Sequence, residues 1–162
     1  MFIEKVVIPF LEANKLRFIR GEGELLVLVR GSQRLDLRVL EIDKPPALLL
    51  IADDLVTFPK DDPYLLKLLN ELNETTHTKW IAEDGELHSV MTVLTYEGFN
   101  ERAFQEYFDC AVVTAMVMKI HLLEVRYGGK TLRGAMARRS KHAADKTNRD
   151  VDRLITEALG EE

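Results

Sequence analysis

Between Asp62 and Tyr96 the succession of turn, helix and strand signals leaves few folds open to this chain. Asp62-Pro63 is a helix start, because a carboxylate caps free backbone N–H groups and proline is pre-set for the first helical position. Leu65, Leu68, Leu69 and Leu72 then fall at i, i+3, i+4 and i+7, a single apolar stripe along one side of a helix. After Thr78 come a short strand bearing Trp80, the Asp84-Gly85 pair that suits a two-residue hairpin turn, and a second strand over residues 86–96. A helix with one stripe to bury, followed at once by a hairpin, calls for a sheet with helices laid on it.

The flanking sequence extends that plan. Residues 2–14 read as a short amphipathic helix with Phe2, Val6, Val7, Phe10 and Leu11 near one face, interrupted by Pro9. Four extended segments follow at 16–20, 24–30, 34–42 and 47–52, separated by Gly21-Glu22-Gly23, Gly31-Ser32 and Pro45-Pro46. In the third, Leu35, Leu37 and Val39 alternate with Arg34, Asp36 and Arg38, and then the phase switches to apolar Leu40 and Ile42. That slip predicts a β-bulge near Val39-Leu40. Asn100 opens the longest helix, which runs to about Val125 and is stopped by Gly128-Gly129. The order α-β-β-β-β-α-β-β-α, with hairpin-length links, predicts an α+β domain over residues 1–129: a twisted antiparallel sheet flanked by helices. A basic, partly helical tail over 130–162 completes the chain.

Composition bounds the rest. A chain of 162 residues, 46% hydrophobic and 30% charged, suits one globular domain with a short appendage and needs no disulfide or metal staple. The single Cys110 has no internal partner, which predicts a reducing, cytoplasmic compartment. No signal-peptide run opens the sequence, and no apolar stretch approaches the ~20 residues of a spanning helix, so no membrane association is expected. Net charge is −5, yet residues 126–162 hold nine Lys/Arg against six Asp/Glu, leaving −8 for residues 1–125. An acidic body disfavours a general nucleic-acid role, and the tail reopens it locally.

In the long helix, Phe104, Phe108, Ala111, Ala115, Met118 and Leu122 follow helical spacing and should pack on the sheet. Gln105, Asp109, Val112, Met116 and Lys119 form another stripe, with Val113, Ile120 and Leu123 beside it. A helix apolar nearly all round must be covered nearly all round. A second copy of the protein is the simplest cover, and folding-over by the N-terminal helix or the tail is the other. Val112, Val113, Met116, Ile120 and Leu123 are therefore the candidate partner interface of a homodimer.

Residues with chemical potential are scattered. His77, His88, His121 and His142 form no i, i+4 pair and have no cysteine at ligand spacing. His88, near Glu86, suits a surface contact, and His121 a satisfied or interface role. Burial on the apolar helix would keep Cys110 inert. Asp53 and Asp54 alternate in direction along an extended chain, so their carboxylates do not share one ion, and Asp62 is taken up by capping. Neither Gly21-Glu-Gly23 nor Gly128-Gly129 has the spacing of a phosphate loop; both read as turns. Asn70 and Asn73 suit the satisfaction of backbone groups. No catalytic, cofactor-binding or metal-binding set emerges. The tail holds seven basic residues from Lys130 to Arg149 against Asp145 alone. Arg138, Arg139 and Lys141 are its candidates for phosphate contact, although no aromatic residue among them offers base stacking. Val151, Leu154, Ile155 and Leu159 add a small amphipathic helix that can dock on a domain.

Several landmarks together resemble one family. The helix ending Leu-Leu-Asn70-Glu-Leu-Asn73, then Lys79-Trp80 and Glu83-Asp84-Gly85-Glu86-Leu87, resembles the YbjN family of bacterial sensory-transduction regulators. Pro45-Pro46-Ala-Leu-Leu-Leu and Val125-Arg-Tyr127-Gly128-Gly129-Lys130 look like further landmarks of that family. The resemblance covers roughly residues 3–135, rests on order more than on one rigid motif, and ends after about Ala137. It implies a fold similar to type III secretion chaperones, commonly dimeric through a helix or strand, with no catalytic residues to transfer. The expected function is thus a non-enzymatic, protein- or peptide-binding regulatory domain. The alternative is a nucleic-acid-associated regulator acting through the tail, and a third possibility is an enzyme built around Asp53-Asp54.

Overall fold

The computed structural model describes residues 1–31, 34–76 and 78–128, with Leu132, Gly134 and Ala135; the side chains of Asp54 and Thr75 are not among those described. The expected turn residue Ser32, His77, His142, Gly129 and nearly all of the tail, including its amphipathic 151–159 stretch, lie outside the described residues. The chain divides into two compact units, Met1–Ile120 and His121–Glu162.

A π-helical segment, Ile3–Val7, leads into α1 (Ile8–Ala13), with Pro9 in the first turn of α1. Proline has no N–H to donate and its ring crowds the carbonyl four residues back, so the widened turn before it relieves both conflicts. Four strands follow, β1 (Arg17–Arg20), β2 (Glu24–Arg30), β3 (Arg34–Asp43) and β4 (Pro46–Thr57), then α2 (Pro63–Thr75). The hairpin of β5 (Lys79–Glu83) and β6 (Glu86–Leu94) precedes α3 (Glu101–Gly128). The six strands form one antiparallel sheet in the order β1-β2-β3-β4-β6-β5. The fold is α+β, with the expected element order.

Local chemistry sets the boundaries where expected. Asp62 Oδ1 accepts from the Tyr64 amide at 2.9 Å and caps α2, and Asn100 Oδ1 accepts from the Ala103 amide at 3.1 Å and caps α3. Asp84 and Gly85 both have positive φ, +51° and +86°, as a tight hairpin turn between right-twisted strands demands.

Two strand expectations need correction. The bulge predicted near Val39-Leu40 is absent: β3 pairs in unbroken register with β2 on one side and β4 on the other. Glu41 takes an inward position in that register, opposite Leu48, and its carboxylate accepts from the Phe2 and Ile3 amides at 2.8 and 3.1 Å. A charged side chain is tolerated there because it satisfies the free N–H groups of the first helical turn. The irregularity lies instead in β4, between Ala52 and Val56, where the strand continues beyond its expected end at Ala52.

One face of the sheet is the core. Val27, Leu37, Ala52, Ser89 and Trp80 align across five strands and are all buried. Trp80 donates its indole N–H to Thr76 at the end of α2 at 2.7 Å, and Glu41 holds the N-terminal helix on the same face. Phe10 of α1 meets Phe104 and Phe108 of α3 edge-on, with centroids 5.2 and 5.3 Å apart. The expected stripe of α3 from Phe104 through Met118 is buried throughout. In the second unit His121, Leu122, Val125, Leu132 and Ala135 are buried.

Candidate interaction surfaces

Strand residues paired across a ladder point to the same side of the sheet, so the register defines the second face. Its rows read Leu40, Leu49 and Thr92; then Leu26, Arg38, Ile51 and Val90; then Leu28 and Asp36, while Asp53, in the irregular stretch of β4, joins this face through its contacts with Arg38 and His88. Among the described residues the helices of the first unit lie on the opposite face. The apolar members of these rows are accordingly half-buried rather than fully buried. Leu94, at the end of β6, is 63% exposed. An antiparallel sheet covered on one side normally turns polar residues to water on the other. Here the second face, open among the described residues, carries leucine, isoleucine and valine over its upper rows.

The lower rows are charged. Arg38 grips Asp53 through Nε and through Nη2, the latter at 3.1 Å, and its Nη1 reaches Glu24 at 3.7 Å. Asp53 Oδ1 also lies 3.1 Å from His88 Nδ1. The side chain expected to make a surface contact is instead buried, His88 being 8% exposed. Asp53, read from the sequence only as unable to share an ion with Asp54, joins Arg38 and His88 in one cluster. The separations of 15 and 35 positions hid that pairing from local reading.

Beside it, Arg30 and Arg34 share the carboxylate of Asp36 at 3.1 and 3.2 Å. Partial burial pushes the Asp36 carboxyl up, but the hydrogen bonds and charges of Arg34 and Arg30 outweigh this and hold it below the usual carboxylate value. A depressed folded-state pKa contributes stability that is fully present above the unfolded value near ~3.9 and is lost as pH falls through the folded value. Asp36→Asn should therefore lower the urea midpoint at pH 6, and the gap from the wild type should close towards pH 2. Arg34, Asp36, Asp53 and Lys119 line a recess of 220 Å³, and Lys119 Nζ donates to the Arg34 carbonyl at 3.0 Å.

The candidate interface residues of α3 separate in space. Val113 is 60% exposed, and Val117, one turn on and not anticipated from the sequence, is 44% exposed. Val112, Met116 and Ile120 are half-buried, with Met116 over the Gly31 turn, where its methyl would lie 3.6 Å from a β-carbon. Leu123 is half-buried in the second unit. Cys110, expected to be buried, is exposed, because it falls about a third of a turn off the stripe that contacts the core. His121 is buried. Arg138, Arg139 and Lys141 lie outside the described residues.

Asn73 bears out its expected backbone role: its side-chain amide accepts from the Trp80 N–H at 2.8 Å and donates to the Trp80 carbonyl at 3.1 Å. It stands where a neighbouring strand would hydrogen-bond and so blunts the β5 edge. Among the described residues no group of three or more His, Cys, Asp or Glu is placed to hold a metal ion. None of the helices described is long and apolar enough to cross a membrane. No protein-family model, curated protein or solved structure matches this chain.

Proposed function

We propose that the chain is a non-enzymatic regulatory domain of the YbjN type, with a secretion-chaperone-like fold, that acts as a homodimer and binds another protein or a peptide in the cytoplasm. The observation that carries this reading is the outward stripe of α3, where Val113 and Val117 stand one turn apart and exposed between half-buried Met116 and Ile120. Valines at i and i+4 on a surface helix offer an apolar strip to the side chains of a partner. The polar clusters support the same reading, since Asp53, Asp36 and Glu41 are each engaged by arginines or backbone amides.

The test is capture from native cytosol with the full chain as bait, beside a Val113→Lys, Val117→Lys variant. The wild type should retain a specific protein and the variant should lose it. Recovery of nothing but the bait, or equal recovery by both, counts against the reading.

A further inference from the structure

The open sheet face presents an apolar centre between two corners of opposite charge, and all three features repeat under one symmetry operation. At the end of the sheet where β2 turns into β3, Arg30 and Arg34 share the single carboxylate of Asp36, and Lys119 adds a further cation beside them. At the same end, across the sheet, Glu83 and Glu86 face one another at the β5–β6 turn, with Lys79 at the far end of β5. Between them and towards the other end lie Leu26, Leu40, Leu49, Ile51 and Val90.

We propose that this face is the interface with a second copy of the chain, the two sheets packing face to face about a two-fold axis parallel to the strands. Such an axis keeps each end of the sheet over the same end of the other copy and exchanges its left and right sides. Because the strand order is β1-β2-β3-β4-β6-β5, β3 comes over β4 of the second copy and β2 over its β6. Leu40 then meets Leu49, and Leu26 meets Val90. The Arg30/Arg34 corner lies over the Glu83/Glu86 corner, and the symmetry makes that contact twice. Arg38 enters the interface already paired with Asp53, so its own charge is not taken out of water alone.

Area separates this surface from the α3 stripe. Six strands at ~4.8 Å spacing and ~25 Å length present on the order of 700 Å² to a facing sheet, close to the ~800 Å² per partner of a stable complex. Val113 to Ile120 spans only about two turns, ~11 Å of helix, too little to hold two copies together. This inference rests on the proposed dimer, names its surface, and leaves α3 for the other protein.

The test is the mass of the full chain by light scattering at about 20 μM. The wild type should run at twice 18.5 kDa. Two variants, Glu83→Arg with Glu86→Arg and Arg30→Glu with Arg34→Glu, each place like charges across both corners and should weaken self-association at least ~30-fold. Mixed in equal amounts, they should regain the doubled mass, because each reversed corner then meets its complement. Leu49→Lys, at the apolar centre, should run as a monomer with unchanged circular dichroism. A wild type at 18.5 kDa overturns the proposal, as does a doubled mass in both charge variants alone or a mixture that stays monomeric. Val113→Lys should keep the doubled mass while losing the captured protein; loss of the doubled mass there would place the dimer on α3 instead.

Discussion

Gly85→Ala should cost about 3–5 kcal/mol, a large part of the 5–15 kcal/mol that holds a domain together. Two effects add at this position. With φ at +86°, glycine adopts the turn freely, whereas an L side chain is strained there by roughly 1–2 kcal/mol. The added β-carbon would also sit 2.2 Å from the Phe58 carbonyl oxygen, well inside contact distance. Phe58 is fixed in place because its own amide donates to the Gly85 carbonyl at 2.8 Å, so relief requires parting the turn from the end of β4. Gly23→Ala supplies the control: its φ is +75°, yet nothing lies within 4 Å of its added β-carbon. Only the conformational strain should appear there, about 1 kcal/mol. Urea unfolding of both variants separates the terms. Equal losses would mean that φ alone governs Gly85; a small loss at both would mean that the hairpin turn is not held against Phe58.

Capped and turned elements were legible because their signals are local. Asp62-Pro63, Asp84-Gly85 and Asn100 act within three residues of themselves, and each does in the structure what its residue type dictates. The buried stripe of α3 followed from 3.6-residue spacing alone. β3 was misread for a definite reason. Alternation assumes that the inward set is apolar, but Glu41 points inward to hold two helix N–H groups, while Leu40 and Ile42 point to an open face that is itself apolar. A phase switch in hydropathy therefore marked a two-sided sheet rather than a bulge. The Arg38–Asp53–His88 cluster was out of reach for another reason. It depends on which strands are neighbours, and β4 lies beside β6 only because α2 and β5 intervene in sequence but not in the sheet. The same topology sets the basic and acidic corners at one end of the open face, an arrangement that charge counting along the chain does not reveal.

Trp80→Ala should be as damaging as the loss of the turn glycine, at about 3–5 kcal/mol, and through packing rather than strain. Trp80 is 2% exposed and sits in the inward row with Val27, Leu37, Ala52 and Ser89. Removing its ring leaves a cavity against α2 and frees the Thr76 hydroxyl that accepts the indole N–H. That hydroxyl itself donates to the Leu72 carbonyl at 2.8 Å, so the C-terminal turn of α2 loosens with it. For a chain of this length about 4 kcal/mol corresponds to a fall in melting temperature of roughly 8–16 °C. Trp80→Phe divides the loss into its parts. It keeps most of the apolar volume but cannot donate to Thr76, so it should lose about 1–2 kcal/mol, the scale of one buried hydrogen bond with modest underpacking. A phenylalanine variant as unstable as the alanine one would place the weight on the Thr76 hydrogen bond rather than on the ring. An alanine variant near wild-type stability would mean that α2 does not depend on Trp80 for its seat on β5. Asn73 brackets the Trp80 backbone independently of the ring, so the β5 edge should stay closed to strand addition in the phenylalanine variant, which should remain free of fibrillar aggregates on prolonged incubation.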